Sequence, residues 1–231
     1  MAWTDRRPLR WSKKTDDLVK YVALRCRPGF QSELGHWLEE RPRFRDLIAF
    51  NQDKVRKKLT TADDEERRQD VRAELRVAYL VLADRRFEVA LEAYGAQRLG
   101  PDISVTYRAN QRFNLEVTRL RSGGSPTVTR LSDVIGGKLR QLPADVPNAL
   151  VITGHDLAVS EACDDYIDAA LRLLRTHGKQ NDLTRLGGVF MLDEGGATTP
   201  AAVFGANREA RHALSKEVVA GLSACLNSAA E

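Results

Sequence analysis

The sequence predicts an α/β fold: a mixed central sheet flanked by helices, with an N-terminal helical region before it and a helix after it. Three observations lead there. Short segments of strand character, Phe87–Tyr94, Ile103–Tyr107 and Phe113–Leu120, follow one another across links containing Gly95, Gly100-Pro101 and Asn110, which predicts neighbouring hairpin-like strands. Two later runs, NALVITG (148–154) and GGVFMLD (187–193), are unbroken and apolar, the pattern of strands buried on both faces of a parallel sheet. Amphipathic helical patterns separate these runs, so the core reads α-β-β-β-α-β-α-β.

In chain order, residues 1–29 read as an irregular basic lead-in punctuated by Pro8 and Pro28-Gly29. Residues 30–59 read as two helical pieces divided at Pro42, because proline inside a helical pattern starts a new helix. Thr61–Asp64 supply a capping-type start with acidic Glu65 and Glu66 behind it. That helix is predicted to run to about Asp84, burying Val71, Leu75, Ala78, Tyr79 and Leu82 at three- and four-residue steps. After the three strands, SGGSPT (122–127) reads as a loop and 129–142 as a helix ended by Pro143. A second amphipathic helix spans 159–177, and a last helix spans 208–226 after a Gly/Thr/Pro loop. The domain boundary is placed at 62/63, giving a basic helical region 1–62 and an α/β domain 63–231.

Charge is unevenly spread. The 231 residues carry 36 Lys and Arg against 32 Asp and Glu, a net +4. Residues 1–60 hold 15 basic and 8 acidic side chains, or +7, which leaves the rest of the chain at −3. A basic third beside a mildly acidic body is the asymmetry of a polyanion binder. The run Lys54, Arg56, Lys57 and Lys58 is the candidate nucleic-acid contact; its structural alternative is complementing the negative end of a helix dipole. The expected partner is nucleic acid, most directly DNA, with a homodimer or larger protein assembly left open. There is no apolar stretch of membrane-spanning length and no apolar run behind the charged N-terminus, so a cytoplasmic protein is expected. The cysteines Cys26, Cys163 and Cys225 are odd in number and far apart, which argues for buried thiols. Trp3, Trp11 and Trp37 sit among the cations, and packing of that segment is their expected use. His155, after NALVITG, reads as a loop histidine bonding locally. No phosphate-loop, dinucleotide or nucleophile-elbow motif is present.

The third strand holds the chemistry. Side chains alternate along Arg112–Arg119, so Asn114, Glu116 and Thr118 share one face. The preceding strand opens with Pro101-Asp102. If the two strands pair, Asp102 and Glu116 come together, and their repulsion calls for a proton or a hard cation such as Mg²⁺ (or Mn²⁺).

Glu74 on a helix, then Pro101-Asp102, then Glu116-Val117-Thr118, followed by a helix and NALVITG, resembles the PD-(D/E)xK nuclease superfamily over about residues 70–195. The resemblance implies the restriction-endonuclease-like αβββαβ core. It implies that Asp102, Glu116 and the carbonyl of Val117 bind the metal, with Glu74 holding a second metal or orienting water. The family's lysine is replaced here by Thr118. Lys138 and Gln141, three apart on the following helix, are the proposed replacements: Lys138 as a migrated catalytic cation, Gln141 as an orienting or phosphate-contacting group. The implied activity is metal-dependent DNA hydrolysis. The alternative is an inactive nuclease fold serving as a DNA-binding or assembly module.

Overall fold

The computed structural model describes residues 11–92, 100–121, 127–155, 157, 163–194 and 202–228. The chain forms two compact units, Met1–Val71 and Arg72–Glu231, divided inside a helix.

The first unit is helical: α1 (Lys13–Ala23), α2 (Pro28–Glu40), α3 (Pro42–Phe50), α4 (Gln52–Thr61) and the start of α5 (Glu65–Val81). The expected irregular lead-in therefore contains a helix. Ser12 caps α1 by accepting from the Thr15 N–H, and Thr15, Leu18, Val19 and Val22 form its buried stripe. That stripe is hidden in sequence among Lys13, Lys14, Asp16, Asp17 and Lys20. Pro28 and Pro42 each stand in the first turn of a helix, where the missing N–H costs nothing. Asn51 splits the second expected piece into α3 and α4; its side-chain amide donates to the Leu47 carbonyl at 2.8 Å, beside the bond that its own backbone N–H makes to the same carbonyl. Trp37 packs edge-on against Phe44 at 6.2 Å. Trp11 lies so close to Gly35 that a Cβ there would collide with its ring. Both described tryptophans are thus packing residues; Trp3 lies outside the described residues.

The second unit is built on a six-stranded mixed sheet in the order β1-β2-β3-β4-β5-β6. The strands are β1 (Phe87–Leu91), β2 (Ile103–Tyr107), β3 (Gln111–Arg119), β4 (Asn148–Gly154), β5 (Gly188–Asp193) and β6 (Ala202–Ala206). β1, β2 and β3 are antiparallel neighbours, β3, β4 and β5 run parallel, and β6 is antiparallel to β5. Helices α6 (Val128–Lys138) and α7 (Cys163–Thr176) bury Leu131, Ile135, Ile167 and Leu171 against Leu150, Ile152, Val189 and Met191 on one face of this sheet. α8 (Gln180–Leu183) and α9 (Lys216–Asn227) complete the unit. Gly221 of α9 lets the ring of Phe87 approach, and Phe87 in turn meets Tyr107 and Phe113.

Several element limits differ from expectation. β1 stops at Leu91 because Glu92 turns into the left-handed region (φ 47°). α6 ends at Lys138 and tightens into a 3₁₀ turn, Leu139–Gln141, so Gln141 leaves the α-helix on which it was expected. The segment read as loop contains β6, five residues that are too few for an alternation to show. α9 begins at Lys216 rather than 208, where Ser215 accepts from the Val218 N–H. Among the described residues no helix is long and apolar enough to cross a membrane.

A buried polar line crosses three strands. Ser104 Oγ donates to Asn114 Oδ1 at 2.9 Å, and Asn114 Nδ2 donates to Asn148 Oδ1 at 3.0 Å. Asn148 Nδ2 then reaches the carbonyls of Pro143, Val146 and Arg185 at 2.7–2.9 Å. These bonds pin the segment that enters β4. Asn148→Ala should therefore lower the unfolding free energy by about 2–4 kcal/mol, because buried carbonyls and Asn114 lose partners. Urea denaturation measures this, and a loss below about 0.5 kcal/mol would show the network to be dispensable.

Candidate active site

β2 and β3 bring the first two candidate acids together. Ile103 pairs with Leu115, so Asp102, one residue before β2, stands opposite Glu116. Asp102 does more than sit there. Its Oδ2 accepts from the Val117 N–H at 2.9 Å, taking the ladder bond that the end of β2 leaves open. Glu116 lies within β3, with Leu150 of parallel β4 on its other side. Its residue is 1% exposed, so its charge is held where water cannot screen it.

The last turn of α6 supplies the compensating cation. Lys138 Nζ donates to Glu116 Oε1 at 2.7 Å. The other oxygen, Oε2, is buried without a hydrogen-bond partner. Burial pushes the Glu116 carboxyl up to about 7, the negative charge of Asp102 adds to the rise, and Lys138 opposes it. Burial also disfavours the Lys138 ammonium, but Glu116, Asp102 and Glu74 together outweigh it and hold the ammonium above its ordinary range. Glu74, half-buried on α5, thus bears on the site through its field on Lys138. Among the described residues no three His, Cys, Asp or Glu side chains stand together as a metal-holding group. The close donor set is two carboxylates.

The other candidates fall elsewhere. Thr118 shares the face of Glu116 and is half-buried. Gln141 is half-buried in the 3₁₀ turn, and Arg140 beside it points away to Asp182 at 3.8 Å. On α4, Lys54, Arg56 and Lys57 are exposed and Lys58 is half-buried.

A second charged cluster escaped the sequence reading. Glu194, just past β5, has its side chain 2% exposed and receives Arg72 at 3.4 Å and His155 at 3.8 Å. Its Oε1 has no partner. Nothing local marks these residues, which come from three distant segments. Compared with protein-family models, with curated proteins and with solved structures, the chain matches none.

The raised carboxyl pKa has a defined consequence for stability. The folded chain holds the Glu116 proton more tightly than the unfolded chain does. This contribution is present in full below about pH 4.5 and is lost as pH rises through about 7. Glu116→Gln should remove that loss and flatten the stability profile between pH 5 and 8, by up to about 3 kcal/mol. Chemical denaturation across this range measures it; a variant with the slope of the parent would mean that Glu116 does not titrate there.

Proposed function

We propose that the chain is a metal-dependent nuclease that hydrolyses DNA phosphodiester bonds, with Asp102, Glu116 and Lys138 as its reactive group. One observation carries this reading: the ammonium of Lys138 lies 2.7 Å from Glu116, whose neighbour across the strand pair is Asp102. A cation from α6 thus stands beside the carboxylate pair in a chain whose strand carries Thr118 where the resembled superfamily has lysine. The element order α5-β1-β2-β3-α6-β4 also agrees with the αβββαβ core expected from that resemblance.

The residues present suit a hard divalent ion. Two carboxylates and a backbone carbonyl are the oxygen donors Mg²⁺ takes, and Glu116 Oε2 is a buried oxygen with no other partner. Asp102, Glu116 and the Val117 carbonyl would hold Mg²⁺ or Mn²⁺. When bound, such an ion supplies Lewis-acid polarisation of the phosphate and acidifies a water. Lys138 stabilises negative charge as it grows on the phosphate, from a partly buried position where that charge is weakly screened. Thr118 has no charge to offer. Glu74 favours the protonated form of Lys138 and so keeps the cation charged. The exposed cations of α4 contact backbone phosphates without reading sequence.

Nicking of supercoiled plasmid with Mg²⁺ or Mn²⁺ tests the chemistry. Asp102→Ala and Glu116→Ala should abolish it, and Lys138→Met should slow it by roughly 10²-fold or more. Cleavage surviving both carboxylate substitutions would sink the assignment. DNA binding by the parent chain without any metal-dependent cutting would favour the inactive module instead. Separately, reversing the charges of Lys54, Arg56, Lys57 and Lys58 should weaken DNA binding and flatten its salt dependence. An unchanged salt slope would remove α4 from the interface.

A further inference from the structure

We propose that a cleft between α1 and α4 of the helical unit holds one unpaired nucleobase and its adjoining phosphate, so that this unit prefers single-stranded nucleic acid to duplex. The inference rests on the nucleic-acid half of the reading above and is independent of hydrolysis.

The cleft is a cavity of about 180 Å³ lined by Tyr21, Val22, Leu24, Arg25, Arg56 and Thr60. That is smaller than the roughly 300–1,000 Å³ of a drug-sized pocket, and it suits a single flat ring. Its walls are of two kinds. Tyr21, in the last turn of α1, is 40% exposed, and Leu24, the helical-conformation cap residue three positions on and therefore on the same side, is 68% exposed. Arg25 and Arg56 bring two cations, and among the described residues no acidic side chain lines the cavity.

The aromatic wall is held in place before any ligand arrives. The Tyr21 hydroxyl donates to Asp53 Oδ1 at 2.6 Å, which also engages that carboxylate. The Arg56 guanidinium lies over the Tyr21 ring, 4.6 Å from its centroid. Arg56 covers one face of the Tyr21 ring, so a base stacks on the outer face of that guanidinium or on the other face of the ring, with Leu24 as an apolar edge, and the N–H groups of Arg25 and Arg56 are donors for its phosphate. Lys54 and Lys57, exposed on α4, continue the positive charge along that helix. An acidic peptide would use the cations and leave the ring idle. In duplex DNA the base faces are stacked on one another, so the ring and Leu24 have nothing to cover.

The test is fluorescence anisotropy on the full chain in EDTA, with a labelled oligo-dT strand and an oligo-dT·oligo-dA duplex of equal length. The strand should bind more tightly than the duplex at matched salt. Tyr21→Leu should weaken strand binding about tenfold with an unchanged salt slope, while Tyr21→Phe, which keeps the ring but releases Asp53, should lose clearly less than Tyr21→Leu. Arg56→Ala should weaken binding and lower the salt slope by about one. Leu24→Ser, at a position open to solvent, should weaken strand binding several-fold and guards against a folding defect at Tyr21. Duplex preference, Tyr21→Leu binding like the parent, equal losses for strand and duplex, or displacement of the strand by polyglutamate as readily as by unlabelled oligo-dT would each overturn the proposal. Failure of nicking with these binding results intact would count against the nuclease reading alone.

Discussion

A carboxylate buried in the middle of a sheet has to find a positive charge, and the second unit is arranged around how Glu116 finds one. The strand that carries it has neighbours on both edges, β2 and β4, so solvation from the side is closed off. Removing an ionised carboxylate from water costs several kcal/mol unless it is paired. The partner is Lys138, and its delivery depends on where α6 ends. Leu131 and Ile135 bury one face of α6 against the sheet, which sets the helix so that its last residue reaches Glu116. The 3₁₀ turn and the segment leading into β4 then follow, and Asn148 ties that segment down through three carbonyls.

The pairing is incomplete, and this is informative. One oxygen of Glu116 takes the ammonium while the other has no partner, and Asp102 adds a second negative charge across the strand pair. An arrangement selected for stability alone would replace such a group with apolar side chains, which is often neutral or stabilising. Perturbed, convergent titratable groups are more typical of a site that does chemistry. The Asp102 carboxylate also serves as a strand cap for the Val117 N–H, so its removal disturbs β3 as well as the charge balance.

The helical unit obeys a different rule. Its core is built from one or two apolar residues per turn on short helices, with Phe44, Ile48, Leu34 and Leu38 fully enclosed. The outer faces are left almost entirely to charge. Among the described residues of that charged surface the exposed large apolar side chains are Tyr21, Leu24 and Phe50, and Arg56 lies over the ring of the first. α1 was missed in the sequence because its buried stripe of four residues is interleaved with five charged ones. The break at Asn51 was missed because an asparagine bonding to its own helix leaves no signature distinct from an ordinary helical asparagine.

The sequence by itself determined the α/β class, the antiparallel-then-parallel strand order and the limits of β4, since period-two alternation and unbroken apolar runs are local properties. It also placed Asp102 and Glu116 side by side, because strand pairing across a short hairpin turns sequence spacing into spatial register. It did not determine β6 or the start of α9: β6 exists through pairing with β5, and a five-residue segment has no pattern of its own. Only the tertiary structure decided that α6 stops at Lys138, that its ammonium meets Glu116, that Glu74 acts through that ammonium, and that Arg72, His155 and Glu194 converge. These are meetings between segments tens of residues apart, set by how helices seat on the sheet, and no local pattern encodes that seating.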